Sequence, residues 1–268
     1  MKYYNAVTGF DEIDMVGMQP KKRVLCSYHY YKNKPNEVKQ LIKNKFDVFI
    51  DSGAFSAKNS GEKINIDQYC EFLKFTQAIN YATLDVIGNA KATLNNHEYM
   101  IKEHNLNPIP AFHMGSRIDD LKPLLDYNYI ALGGLVFSAG ITSHCDEVWS
   151  YILKNKPSLK VHGFGLTNIE LMARYPWYSV DSSSFKSCKR FGRQNILWDG
   201  INFETFTELE YQQYLSELGV NFDNLDNKQK YKIYDYYSSV SYAIYAAHLT
   251  EINKYKNFNY LTIQQKLF

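Results

Sequence analysis

Residues 46–56 read Phe46-Asp47-Val48-Phe49-Ile50-Asp51-Ser52-Gly53-Ala54-Phe55-Ser56. An apolar run rich in β-branched and aromatic residues ends abruptly on an acid, a hydroxyl and a glycine. A buried strand handing over to a turn reads this way. Working outward, similar runs recur at Arg23–Tyr30, Tyr81–Ile87, Pro108–His113, Tyr129–Leu135, Leu159–Phe164 and Trp177–Asp181, with a weaker one at Asn195–Trp198. Helical patterning fills the gaps at Ile66–Ile79, Ala92–Glu103, Ile118–Leu125, Asp146–Lys154 and Asn168–Ala173. Strands alternating with helices imply parallel βαβ units. No G-x-G-x-x-G follows the first of these runs, and 268 residues match the length of a closed barrel, about 250. The expected fold is therefore α/β, a (β/α)8 TIM-like barrel. No Pro/Gly/Ser linker divides the chain, so residues 1–268 are expected to form one domain. Residues 201–268 would add C-terminal helices packed on the barrel, with Ile233, Tyr237, Val240, Ile244 and Ala247 forming the buried stripe of one long helix.

Composition narrows the function classes. The net charge is +2 and charged residues make up 22%, which excludes both a polybasic tail and bulk disorder. The four cysteines, Cys26, Cys70, Cys145 and Cys188, form no C-x-x-C pair, so neither a structural zinc site nor a disulfide framework is expected. Met1–Phe10 is polar and aromatic without a secretory apolar core, and no run of about 20 apolar residues exists to span a bilayer. A cytoplasmic protein without a membrane partner is expected.

Catalytic groups of a parallel barrel gather at the C-terminal ends of its strands. Here those ends carry Asp51-Ser52-Gly53, Asp85, His113-Met114-Gly115, Gly133-Gly134, His162-Gly163-Phe164-Gly165 and Asp181-Ser182. An acid after a strand is often only the cap of the next helix; three acids, two histidines and two glycine pairs on one rim point to a site. The sequence holds no H-E-x-x-H zinc motif, no G-x-S-x-G elbow and no P-loop. A carboxylate site with glycine-lined walls remains. Carboxylates serve as nucleophile and acid/base at a glycosidic carbon, and they accept the N–H edge of a purine. Beyond Asp181, Lys186, Lys189, Arg190 and Arg193 occur with no acid between residues 182 and 198, a pattern suited to a phosphate backbone. Phe185 and Phe191 flank this cluster, either to stack on bases or to anchor the loop.

Asp51-Ser52-Gly53-Ala54-Phe55, Asp85, Gly133-Gly134-Leu135, Gly163-Phe164-Gly165 and Asp181-Ser182 stand in the order seen in the tRNA-guanine transglycosylase superfamily. The chain resembles most the DpdA branch, the DNA-guanine transglycosylases of 7-deazaguanine DNA modification in bacteria and phages. The phrases Val24-Leu25-Cys26-Ser27-Tyr28 and Ala111-Phe112-His113-Met114-Gly115 add to the likeness, which covers about residues 21–200. The resemblance implies exchange of guanine for a 7-deazaguanine base such as preQ0. Asp181 would be the nucleophile, and Asp51 the base-recognising carboxylate and acid/base. Asp85 would bind the purine edge, with Ser52, His113, Gly133, Gly134 and Gly163 around the base. It implies no cofactor and no metal, and a host cytoplasmic setting if the chain is phage-encoded. Accessory modification proteins or a homo-oligomer would be compatible partners.

The sequence departs from the tRNA enzymes in three places. Gly53-Ala54-Phe55-Ser56 replaces their usual Gly-Gly-Phe-Gln, His113 falls where they carry a glutamine, and no cysteine-rich zinc motif follows Cys188. The missing zinc subdomain favours DNA as substrate, with tRNA as the alternative. Base excision by hydrolysis and a non-catalytic nucleic-acid-binding barrel are the competing readings. All of this chemistry requires Asp51, Asp85 and Asp181 to meet in one cavity sized for a flat heterocycle.

Overall fold

The computed structural model describes residues 1–136, 140–197 and 202–254. Eight parallel strands form the core: β1 (Lys2–Val7), β2 (Arg23–Ser27), β3 (Asp47–Asp51), β4 (Asn80–Tyr81), β5 (Ala111–His113), β6 (Tyr129–Gly133), β7 (Lys160–Gly163) and β8 (Ser179–Ser182). Their spatial order is β4-β3-β2-β1-β8-β7-β6-β5. A parallel bridge between Ala82 and Ile109 joins the two ends of that order, through Thr83 N–H to Ile109 O at 2.9 Å and Ile109 N–H to Tyr81 O at 2.8 Å. The sheet is thus a closed (β/α)8 barrel, as expected from the alternation, with its narrowest seam between β4 and β5.

Helices α1 (Phe10–Gly17), α2 (Tyr28–Tyr31), α3 (Pro35–Lys43), α4 (Ala54–Ser60), α5 (Ile66–Thr76), α6 (Ala90–Lys102), α7 (Ile141–Asn155) and α8 (Ile169–Arg174), with a 3-10 segment at Ile118–Asp126, occupy the connections. After β8 come a short 3-10 turn, α9 (Ser187–Phe191), an antiparallel pair β9 (Arg193–Leu197) and β10 (Phe203–Thr207), then α10 (Glu208–Glu217) and α11 (Asn227–Asn253). The weak strand expected at Asn195–Trp198 is therefore part of a hairpin outside the barrel; Trp198 itself lies outside the described residues. The barrel's first strand is instead Lys2–Val7, in the stretch that reads as polar and aromatic. Its Tyr3 and Tyr4 are buried, and its Asn5 carboxamide is bound by the Ser239 hydroxyl at 2.5 Å.

Two apolar layers cover the outside of the barrel. One is centred on Trp149, Trp177 and Val161, the other on Val24, Tyr69, Leu73 and Tyr31. The interior is filled by Tyr4, Leu25, Phe49, Ala82, Ala111 and Ala131, with Tyr129 and Phe164 against them. The N-terminal mouth is plugged by charge: Asp47 takes Lys2 at 3.1 Å, Arg23 at 3.5 Å and the Tyr4 hydroxyl at 2.9 Å.

α11 starts from a capping box, in which Asp226 accepts the Gln229 N–H at 2.8 Å and Gln229 accepts the Asp226 N–H at 2.9 Å. It lies on β1, where Tyr242 stacks on Tyr3 with centroids 5.3 Å apart. It thereby takes the place of the eighth barrel helix. Its buried face is Tyr234, Ser238, Tyr242, Tyr245 and Leu249, not the stripe expected from aliphatic spacing: Ile244 is 50% exposed. Each large side chain fully buried there contributes about 1.5–3 kcal/mol. The helix packs on the barrel as expected, and residues 255–268 of the expected C-terminal segment lie outside the described residues.

Candidate active site

Side chains of a strand alternate between its two faces. Phe49 lies in the barrel interior, so Asp51, two residues on, faces inward at the top of β3. By the same count His113 follows Ala111 on β5, Gly133 follows Ala131 on β6, and Asp181 follows Ser179 on β8. Neighbouring strands bring Ser27 beside Asp51 and His113 beside Gly133. The rim expected from the sequence is therefore real for Asp51, His113, Gly133 and Asp181.

Gly53 shapes the turn after β3. Its φ of +77° favours glycine, and a Cβ there would meet the His29 backbone nitrogen at 2.7 Å and the Ser27 hydroxyl at 2.9 Å. Its N–H donates to Asp51 Oδ2 at 3.1 Å. Ser52 is fully buried, and its hydroxyl accepts the Ala54 N–H at 3.4 Å, so its side chain builds the turn instead of facing a base.

Asp85 lies four residues past β4, in a segment tied down by Asn96 Nδ2 to Leu84 O at 2.9 Å and by Val86 N–H to Thr93 Oγ1 at 2.9 Å. Its Oδ2 sits 3.4 Å from His113 Nε2, while Oδ1 is buried and meets no hydrogen-bond partner among the described residues. An orphaned buried acceptor costs stability unless a donor arrives. Burial disfavours a charged His113 ring, but the Asp85 carboxylate bonded to it and the Asp51 charge outweigh burial and raise its pKa. His113 packs directly against Gly133, where a Cβ would come within 2.4 Å of its ring.

Asp181 is 5% exposed. Its Oδ1 accepts the Gly165 N–H at 2.9 Å and faces His162 Nε2 at 3.2 Å. The three aspartates share one electrostatic field. Burial pushes the Asp51 carboxyl up to about 7, and the charges of Asp85 and then Asp181 push the same way; the Gly53 N–H and the Ser27 hydroxyl offset them only in part. A carboxylic acid that titrates near neutrality can both give and take a proton there.

The expected single cavity is not what the rim shows. A cleft of about 500 Å3 between α4 and the 84–87 segment is lined by Asp85, Lys58, Lys63 and Asn96. Another of about 460 Å3, outside β5, is lined by His113, Asn89 and Asp119. Neither is lined by Asp51 or Asp181. Asp85 thus bridges an open cleft and the buried rim.

Two further expectations are corrected. Gly163 faces the outer layer, where a Cβ would meet Trp177 at 3.1 Å, so it lets β7 pack tightly and does not line the rim. Gly165, two residues on, is the glycine that touches the site. Lys186 is buried and paired with Glu12 at 2.8 Å, which removes it from any phosphate. Lys189, Arg190 and Arg193 are exposed, and Arg190 reaches the Ser183 hydroxyl at 3.1 Å, two residues beyond Asp181. Phe185 is fully buried and anchors the loop, whereas Phe191 is 65% exposed beside the basic residues. Gly134, at φ +81°, continues the turn past Gly133. His162 and its partners on the barrel floor were not singled out for a role by the sequence. The sequence placed His162 at the end of a strand as one of the two rim histidines but gave no partner for it.

Among the described residues no cluster of three His, Cys, Asp or Glu is arranged to hold a metal ion, and no helix is long and apolar enough to cross a membrane. No protein-family model matches the chain, and no curated protein matches it. Solved structures similar to it include a 4-hydroxy-2-oxoglutarate aldolase from TTHB1, at 8% identity and TM-score 0.46, covering 89% of this chain and 92% of that one. A second is tryptophan synthase from M. tuberculosis in its open form, at 11% identity and TM-score 0.45, covering 70% of this chain and 86% of that one.

Proposed function

We propose that the chain is a glycosyltransferase that exchanges a guanine in nucleic acid, DNA in the first place, for a 7-deazaguanine base. The observation that carries this reading is the coupled carboxylate set on the rim, with Asp51 pushed up to about 7. Asp181 attacks C1′ as the glycosidic C–N bond breaks, and the bonding pair goes to the purine. Asp51, in its protonated form, supplies the proton that the departing guanine needs. Asp85 accepts N–H groups of the base at its orphaned Oδ1. The incoming deazapurine gives its ring N–H proton to Asp51, its nitrogen attacks C1′, and the bond to Asp181 breaks. Two displacements retain the anomeric configuration. The target must leave a duplex stack, which costs a few kcal/mol, and Lys189, Arg190 and Arg193 offer the charge to hold its phosphates.

The test offers labelled guanine to duplex DNA, single-stranded DNA and tRNA in parallel, with Asp181→Asn beside the wild type. Uptake into DNA that vanishes in the variant supports the reading; uptake into tRNA alone moves the substrate; uptake that survives in Asp181→Asn removes Asp181 as nucleophile. Base release without uptake identifies hydrolytic excision. A second reading, a nucleic-acid-binding barrel without turnover, draws on one observation: neither rim cleft is lined by Asp51 or Asp181. Binding without label uptake or base release under any condition establishes it.

A further inference from the structure

Beneath Asp181 runs a chain of hydrogen bonds with no exit to solvent at His162, which is fully buried. Tyr129 OH meets Ser179 Oγ at 2.6 Å, Ser179 Oγ meets His162 Nδ1 at 2.7 Å, and His162 Nε2 meets Asp181 Oδ1 at 3.2 Å. An ionised Asp181 offers only acceptors, and its Oδ1 already accepts the Gly165 N–H, so the ring nitrogen facing it acts as donor. Every donor is then used once: Tyr129 donates to Ser179, Ser179 donates to Nδ1, and Nε2 donates to the carboxylate.

The ring that does this cannot turn. His162 stacks on Phe49 with centroids 4.5 Å apart at 20°, and Phe164 meets its edge at 4.7 Å. Gly163 presses β7 against Trp177, which fixes the strand that carries it. Both bonds to Asp181 fall on the same oxygen; among the described residues none reaches Oδ2. A nucleophilic carboxylate needs this division, with one oxygen anchored and the other keeping its lone pairs.

We infer that His162, carrying its proton on Nε2, is a positioning residue that holds Asp181 by Oδ1 and leaves Oδ2 as the attacking oxygen. The assignment of attack rests on the base-exchange reading; the relay itself does not. No proton need leave the chain during the reaction, because the carboxylate forms and breaks its bond to C1′ without being protonated.

The experiment has two arms on the full chain. Ring-15N histidine spectra of the wild type are expected to show His162 as the Nε2–H tautomer, assigned by loss of its signals in His162→Phe or His162→Gln. The ring-proton resonance should shift in Asp181→Asn, and Ser179→Ala should release the tautomer. An Nδ1–H tautomer, or signals indifferent to Asp181→Asn, overturns the relay. In the exchange assay, His162→Phe keeps the stacking but cannot donate. Its kcat is expected to fall on the order of 100-fold, the cost of a reacting group misplaced by about 1 Å, with KM unchanged. His162→Gln, which retains an N–H, should recover most of the rate. Wild-type kcat in His162→Phe overturns the positioning role. A wild type that exchanges no base on any nucleic acid refutes the reaction and with it the role of Oδ2, while the spectra still decide the relay.

Discussion

Replacing Asp51 by asparagine should make the protein more stable at pH 8 and useless as a base exchanger. A solvated aspartate carboxyl ionises near 3.8, and here burial first, then Asp85 and Asp181, hold it protonated up to about 7. A folded-state value above the unfolded one means that the fold binds the extra proton. Stability is therefore fully present at low pH, falls as pH rises from about 4 to about 7, and is flat above. Ionising the carboxyl in place costs the fold up to about 4 kcal/mol at about 1.4 kcal/mol per pH unit. The residue is only half-buried, and water reaching it reduces this to about 2 kcal/mol. Asparagine keeps an acceptor for the Gly53 N–H and carries no charge. Urea or thermal unfolding at pH 8 should show a gain of about 2 kcal/mol, or about 4–8 °C in Tm for a chain of this size. The gain should shrink toward zero at pH 4. A variant that is no more stable at pH 8, or whose gain is the same at both pH values, refutes the coupled-carboxylate account. Asp85→Asn offers the companion measurement: with one like charge removed, the pH at which wild-type stability levels off should move down.

Other consequences separate residues that the sequence alone would treat alike. Arg190→Ala and Arg193→Ala should each weaken DNA binding and lower the salt dependence of the affinity by about 0.9 in log–log slope, read by titration at several salt concentrations. Lys186→Met should leave that slope unchanged and instead lower the unfolding midpoint, because it strands Glu12. Gly133→Ala should push His113 off Asp85, since its Cβ would lie 2.4 Å from the imidazole ring; a cost of about 1–3 kcal/mol in denaturation and weaker uptake of the free base are expected. Phe185→Ala should cost about 3–5 kcal/mol, as for a fully buried aromatic, while Phe191→Ala should leave stability unchanged and reduce binding to single strands.

The alternation of strand and helix was legible because seven of the barrel strands coincide with apolar runs, six of them closed by Asp, His or Gly. β1 was not, since Lys2, Tyr3, Tyr4 and Asn5 look polar until Asn5 meets Ser239, more than two hundred positions away. The apolar run Tyr81–Ile87 predicts a seven-residue strand, yet the strand itself is Asn80–Tyr81; Ala82 and Thr83 carry the bridge to Ile109, and only residues 84–87 peel off to bond Asn96 and Thr93. The stripe on α11 was misplaced because aliphatic spacing undervalues tyrosine, whose ring buries while its hydroxyl finds a partner. In the site, strand-end position sufficed for Asp51, His113, Gly133 and Asp181. It failed for Ser52, and the basic run misplaced Lys186; their fates depend on a turn hydrogen bond and on Glu12, which local sequence does not announce. The relay through Ser179 and Tyr129 is equally silent, being assembled from three different strands.

The seam between β4 and β5 gives the barrel a latch. Below it, one short bridge at Ala82 and Ile109 holds the wall; above it, Asp85 on one lip reaches His113 on the other. Any molecule that draws Asp85 away from His113 loosens the fastening at the thinnest part of the wall.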